Sequence, residues 1–145
     1  MKHKEEALSL FDQKYHCSQA VLAAFAGECG VTKEQALKSA GCFGGGMRKG
    51  EVCGACTGAL MVLGLMFGGT DPLNHEELNK LTDKMMEAFA AENGSYICND
   101  LLGIDISKKE EAEKARESGL FREFCPKMVA SAVDILEEII KQKDI

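Results

Sequence analysis

The chain is poor in aromatic residues and in proline. Aromatic side chains make up 6 % of its 145 residues, Trp is absent, and there are two prolines. Hydrophobic residues still make up 46 %, which argues against disorder. The core must therefore be built from Leu, Ile, Val, Ala and Met, and the length suits a single domain over residues 1–145.

A surplus of basic residues is also missing. The chain has 17 Lys and Arg against 23 Asp and Glu, a formal net charge of -6. Nucleic-acid-binding modules usually carry a basic face, so we expect no nucleic-acid partner. The polar first residues have no apolar run and do not resemble a signal peptide.

One uncharged stretch, residues 52–69, approaches the length of a membrane span. Five glycines interrupt it, and no aromatic belt flanks it. We interpret the stretch as a buried central helix, apolar all round, and expect no membrane insertion.

Sustained apolar/polar alternation, the pattern of a half-buried strand, is scarce. Helical spacing and capping residues instead predict a compact, all-α, single-domain bundle of about six helices around a central apolar, glycine-containing helix. We expect this central helix, residues 53–67, to be the most buried. Glycine-rich residues 41–50 predict a loop, and Cys125 before Pro126 predicts the start of the last helix.

The chain has seven cysteines, an odd number, and no export signal. This usage favours a reducing, cytoplasmic compartment, where thiols are buried, bind metal or carry redox chemistry. Four of them, Cys17, Cys53, Cys98 and Cys125, lie at or near predicted helix N-termini. A helix N-terminus stabilises a thiolate and lowers the thiol pKa. We therefore expect Cys53 or Cys125 to be the most reactive thiol.

Cys53 and Cys56 form a C-x-x-C pair at a helix start. Such a pair is typical of a dithiol redox centre or of half a metal site, and it also arises by chance. No βαβ pattern surrounds it, which argues against a thioredoxin fold.

Two blocks carry a resemblance to a known family. The segment CSQA at residues 17–20, the segment CGACTGALM at residues 53–61, and the later Cys98 and Cys125 resemble the C_GCAxxG_C_C family of redox-active proteins. The resemblance implies that Cys17, Cys53, Cys98 and Cys125 are the family's four characteristic cysteines. The domain is also similar to the iron–sulfur part of split-Soret cytochromes, which implies that such a set can hold a cluster.

Three hypotheses stay open from the sequence. In the first, the four characteristic cysteines bind an iron–sulfur cluster or another thiolate-bound metal and transfer electrons to a redox partner protein. In the second, no metal is present, and Cys53 is a catalytic thiol resolved by Cys56 or by another cysteine. In the third, the chain is a helical binding or structural protein with inert thiols. A homo-oligomer is compatible with all three, and the parts played by Cys29, Cys42 and Cys56 are open.

Overall fold

Helices make up nearly all the regular structure of the computed structural model, which describes residues 2–143. Within these residues there are nine α-helices, one π-helical turn and no β-strand. The helices are α1 (Lys2–Asp12), α2 (Cys17–Ala24), α3 (Ala26–Cys29), α4 (Lys33–Ser39), α5 (Gly54–Phe67), α6 (Glu76–Asn93), α7 (Cys98–Leu102), α8 (Lys109–Ser118) and α9 (Leu120–Lys143). The π-helical turn spans Gly46–Gly50. The predicted all-α class is confirmed.

The centre of the fold is the pairing of α2 with α5, the most extensive helix contact in the described chain. The first turn of α5 lies so close to α2 that a Cβ atom on Gly58 would come within 2.7 Å of the Ser18 carbonyl oxygen. Helices α6 and α9 pack against α5 from other sides, and α1 packs against α2 and α9. The predicted central position of the glycine-containing helix is thus observed.

The prediction that α5 is the most buried helix is wrong. Every residue of α2 except Gln19 is buried, whereas the far end of α5 reaches solvent, where the Leu65 side chain is 47 % exposed. Small residues such as Ala20 and Ala24 allow four other helices, α1, α4, α5 and α9, to approach α2 closely. No helix within residues 2–143 has both the length and the apolar character that a membrane crossing requires.

The last helix also begins earlier than predicted. Gly119, with a φ of 79°, ends α8, and its carbonyl accepts a hydrogen bond from the Glu123 backbone N–H at 3.0 Å. The chain is therefore already helical from Leu120, and Pro126 lies inside α9. Consequently Cys125 is not at a helix N-terminus, contrary to the sequence prediction.

Candidate functional site

Four cysteines line one cleft with a volume of about 1350 Å³. Cys17 is the first residue of α2, Cys53 is the residue that caps α5, Cys98 is the first residue of α7, and Cys125 lies within α9. The first three are buried, and Cys125 is half-buried. We call this the cysteine cleft, defined by Cys17, Cys53, Cys98 and Cys125.

Glycines bring the starts of α2 and α5 together. A Cβ atom on Gly54 would lie 2.5 Å from the Cys17 sulfur and 2.9 Å from the Phe43 carbonyl oxygen. Four residues later, the missing side chain of Gly58 leaves room for the backbone of Ser18. The glycines that follow Cys53 therefore set the distance between Cys17 and the start of α5.

A single antiparallel bridge brings α7 to the same place. Val52 pairs with Ile97, and the residues beside this pair exchange backbone hydrogen bonds. The Cys53 N–H donates to the Tyr96 carbonyl at 2.8 Å, and the Cys98 N–H donates to the Glu51 carbonyl at 2.6 Å. This pairing fixes Cys53 and Cys98 at one edge of the cleft.

The glycine-rich segment predicted as a loop forms the wall over Cys17. Gly45, Gly46, Met47 and Arg48 all have positive φ values, between 57° and 66°. A left-handed conformation costs a residue with a Cβ atom about 1–2 kcal/mol. Sequence reasoning missed this turn, because its glycines indicate only flexibility and Met47 and Arg48 carry no signal for it. Strained residues of this kind concentrate at functional sites.

The Cys17 thiol has the lowest pKa of the four. A hydrogen bond from the Cys53 thiol lowers the pKa of Cys17, burial opposes this, and backbone N–H groups of Gly45, Ser18 and Cys17 itself lower it further, to about 7. The same hydrogen bond and burial raise the pKa of Cys53. When the pair ionises, the first negative charge therefore forms on Cys17.

The other two thiols of the cleft are harder to ionise. Burial, and the negative charge of Cys17, raise the pKa of Cys98 to about 12. Burial and the charges of Cys17 and Cys98 raise the pKa of Cys125 to about 12 as well. Without a cation in the cleft, a second and third thiolate are strongly disfavoured. The raised pKa values of Cys53 and Cys125 do not favour the expectation that one of these two is the most reactive thiol.

The remaining cysteines lie outside the cleft. Cys56 is fully buried, its sulfur lies 3.3 Å from the Met86 sulfur, and burial raises its pKa to about 12. Burial and the neighbouring Glu28 raise the pKa of Cys29 to about 11. Cys42 is exposed. The structure thus brings Cys53 together with Cys17, Cys98 and Cys125, and places the C-x-x-C partner Cys56 in the core instead.

The spacing of the side chains bears on the kind of metal site that is possible. Among residues 2–143, no group of three His, Cys, Asp or Glu side chains is arranged to hold a single metal ion. The cysteine cleft therefore has the donor atoms of a thiolate site without the tight geometry of a mononuclear one.

Comparison with known proteins identifies the family. No curated protein and no solved structure matches the chain. The family model of C_GCAxxG_C_C, described as "Putative redox-active protein", matches residues 15–139. The matched region contains all four residues of the cysteine cleft and most of the chain. The chain therefore belongs to the C_GCAxxG_C_C family.

Proposed function

We propose that the protein is an electron carrier whose cysteine cleft holds an iron–sulfur cluster. One observation carries this proposal: four thiols from four distant segments of the chain line the same cleft. Inert buried thiols have no reason to gather, whereas a four-cysteine cluster site requires it. The electrons would pass to and from a redox partner protein.

The donor set supports a cluster better than a single metal ion. All four candidate ligands are thiols, the ligands of most iron–sulfur clusters. A cluster distributes its ligands over several irons, so it accepts wider sulfur separations than one tetrahedral ion, for which residues 2–143 offer no suitable group. Ionising Cys98 and Cys125 next to Cys17 also calls for positive charge, which iron supplies.

The surrounding backbone suits such a centre. When bound, a cluster would supply one-electron transfer. Backbone N–H groups of Gly45 and Ser18 lower the pKa of Cys17, and that of Ala55 acts to lower the pKa of Cys53. Hydrogen bonds to ligand sulfurs, together with burial, are the means by which a protein adjusts the potential of a cluster. In this proposal the cluster is bound by Cys17, Cys53, Cys98 and Cys125. The turn over Cys17 adjusts the potential of the cluster.

A second candidate is a metal-free thiol/disulfide centre, favoured by the interaction that lowers the pKa of Cys17 and raises the pKa of Cys53. A Cys17 thiolate would attack a substrate disulfide, form a mixed disulfide and release one substrate thiolate. Cys53, after losing its proton, would attack the Cys17 sulfur, closing a Cys17–Cys53 disulfide and releasing the second substrate thiolate. Here Cys17 is the nucleophile and Cys53 resolves, so Cys56 has no part. Either chemistry needs reduced thiols, which fits the cytoplasm.

Anaerobic reconstitution with iron and sulfide tests the proposal. We expect a brown protein with visible absorption and bound iron and acid-labile sulfide. Cys17→Ser, Cys53→Ser, Cys98→Ser and Cys125→Ser should each reduce the bound iron and the visible absorption. Cys42→Ser is the matched control, because Cys42 is exposed and outside the cleft, and it should reconstitute like the wild type.

Two outcomes would count against the cluster. A colourless, iron-free protein that forms a Cys17–Cys53 disulfide with substrate turnover would support the second candidate. Equal iron loading of the wild type and all four cleft variants would mean that the iron is bound elsewhere. Circular dichroism of each variant separates loss of the site from loss of the fold.

A further inference from the structure

The rim of the cysteine cleft is basic on a protein that is acidic overall. The chain has a formal net charge of -6. Yet six basic side chains line the cleft against three acidic ones, Glu5, Asp12 and Glu113. The basic residues are Lys14, Arg48, Lys49, Lys109, Arg116 and Arg122. The side chains that line the cysteine cleft thus carry a net positive charge, opposite in sign to the net charge of the chain.

These cations are not used to stabilise the fold. All six are exposed. The salt bridges within residues 2–143 involve other cations, such as Lys4 with Asp134 and Lys80 with Glu76. None of the six forms an ion pair in the described chain. Six unpaired cations around one opening make a positive field that attracts anions.

The walls beneath this rim are apolar. Leu8, Phe11, Leu101, Phe121 and Phe124 line the cleft and are only half-buried by the fold itself. A cavity of about 1350 Å³ is large enough for a small organic molecule. Such a molecule would cover apolar side chains that otherwise face water, which is favourable.

Arg48 presents its charge from a strained backbone. It lies in the left-handed turn over Cys17, with a φ of 66°. A flexible lysine or arginine on an unstrained loop would serve general solubility equally well. A guanidinium is suited to a carboxylate, phosphate or sulfonate group, which it binds through two parallel hydrogen bonds.

We propose that the cysteine cleft is a binding site for a small organic anion. Its apolar body lies against the aromatic and aliphatic walls, and its acidic group contacts the basic rim, with Arg48 and Arg116 as contacts. A concave, apolar interior favours a small molecule over the surface of an acidic protein, which cannot follow the walls inward. The inference goes beyond the proposed electron carrier, since it needs neither a cluster nor a disulfide.

Two probes with the same ring system separate charge from hydrophobicity. One is 8-anilino-1-naphthalenesulfonate, and the other is the neutral N-phenyl-1-naphthylamine. Titration of reduced, metal-free, full-length protein by fluorescence should show tighter binding of the sulfonate. Arg48→Gln and Arg116→Gln should each weaken sulfonate binding by about two- to fivefold, the range of an exposed ion pair, and leave the neutral probe unchanged.

Controls locate the site. Lys80→Gln removes a cation on α6 that is paired with Glu76 away from the cleft, and it should change neither probe's affinity. The sulfonate should also slow alkylation of Cys17, because the bound probe and the Cys17 thiol share the cleft.

Equal affinities for the two probes, or no effect of the arginine variants, would overturn the inference. So would arginine-dependent binding of poly-L-glutamate with none of the sulfonate, which would indicate an acidic protein partner. None of these measurements depends on bound iron. The anion-site proposal can therefore be refuted without affecting the cluster proposal, and the reverse also holds.

Discussion

The Cys17 and Cys53 thiols lie in the same cleft, although the two residues begin different helices. Their interaction makes the pair asymmetric, because it lowers the pKa of Cys17 and raises the pKa of Cys53. Their positions at helix N-termini would by themselves predict a lowered pKa for both thiols. The asymmetry determines which thiol reacts first.

Alkylation should therefore begin at Cys17. In reduced, metal-free protein at pH 7.5, limiting iodoacetamide should modify Cys17 before Cys53, Cys98 or Cys125. Its rate should rise with pH and level off above the pKa of about 7, because the thiolate is then fully formed. Mass spectrometry of peptides across a pH series measures this. Cys29, whose pKa is raised to about 11, is the comparison, and its rate should still be rising at pH 9. First reaction at Cys53 or Cys125 would instead support the argument from sequence.

Mild oxidation should link Cys17 to Cys53 and not Cys53 to Cys56. The Cys17 and Cys53 thiols interact within the cleft, whereas Cys56 packs against Met86 in the core. Peptide mapping after diamide treatment identifies the bond. Cys56→Ala should leave the yield of the disulfide unchanged, while Cys17→Ala should abolish it. A Cys53–Cys56 product in the wild type would contradict the placement of Cys56 in the core, outside the cysteine cleft.

Two glycines of α5 should respond in opposite ways to alanine. A Cβ atom on Gly58 would lie 2.7 Å from the Ser18 carbonyl oxygen, so Gly58→Ala should lower the free energy of unfolding by about 1–3 kcal/mol. A Cβ atom on Gly64 meets nothing within 4 Å, so Gly64→Ala should raise it by about 0.5–1 kcal/mol. Urea denaturation measures both. A loss of stability in both variants would show that alanine is unfavourable throughout this helix and that close packing at Gly58 is not the cause.

Stability should depend on pH through His3. The imidazole stacks on Phe25 at 4.1 Å between ring centroids and bonds to Glu137 at 2.9 Å and to Glu28. Burial opposes its protonation, but the hydrogen bonds to the two carboxylates outweigh this and raise the pKa of His3 above 6.5. A raised pKa stabilises the folded state below pH 6.5, and the contribution disappears as pH rises through the folded pKa.

His3→Gln should thus reduce the free energy of unfolding more at pH 6 than at pH 9. The difference should stay below about 1 kcal/mol, because the side chains of His3, Glu28 and Glu137 are partly exposed to solvent. His75→Gln, next to the exposed start of α6, controls for loss of an imidazole. Equal losses at both pH values would mean that His3 acts through its stacking on Phe25 alone.

Local signals in the sequence were sufficient for much of the secondary structure. The Thr32 side chain caps α4 by accepting a hydrogen bond from the Gln35 N–H, and Gly30 and Gly94 end helices in the left-handed conformation. Pro126 misled the prediction, because a proline is also tolerated inside α9 once earlier residues have started the helix. The left-handed turn at Met47 and Arg48 had no signal, since among residues with a side chain only Asn and Asp favour this conformation locally.

The sequence by itself determined the helical class, the family and the four cysteines worth examining, because capping, periodicity and motif spacing are local properties. Only the tertiary structure decided which thiols share a cleft, which of them holds the charge, and that Cys56 lies apart. These depend on how closely α2 approaches α5 at Gly54 and Gly58, and on the pairing of Val52 with Ile97. A thiol pKa is set by neighbours distant in the chain, so no pattern along the sequence contains it.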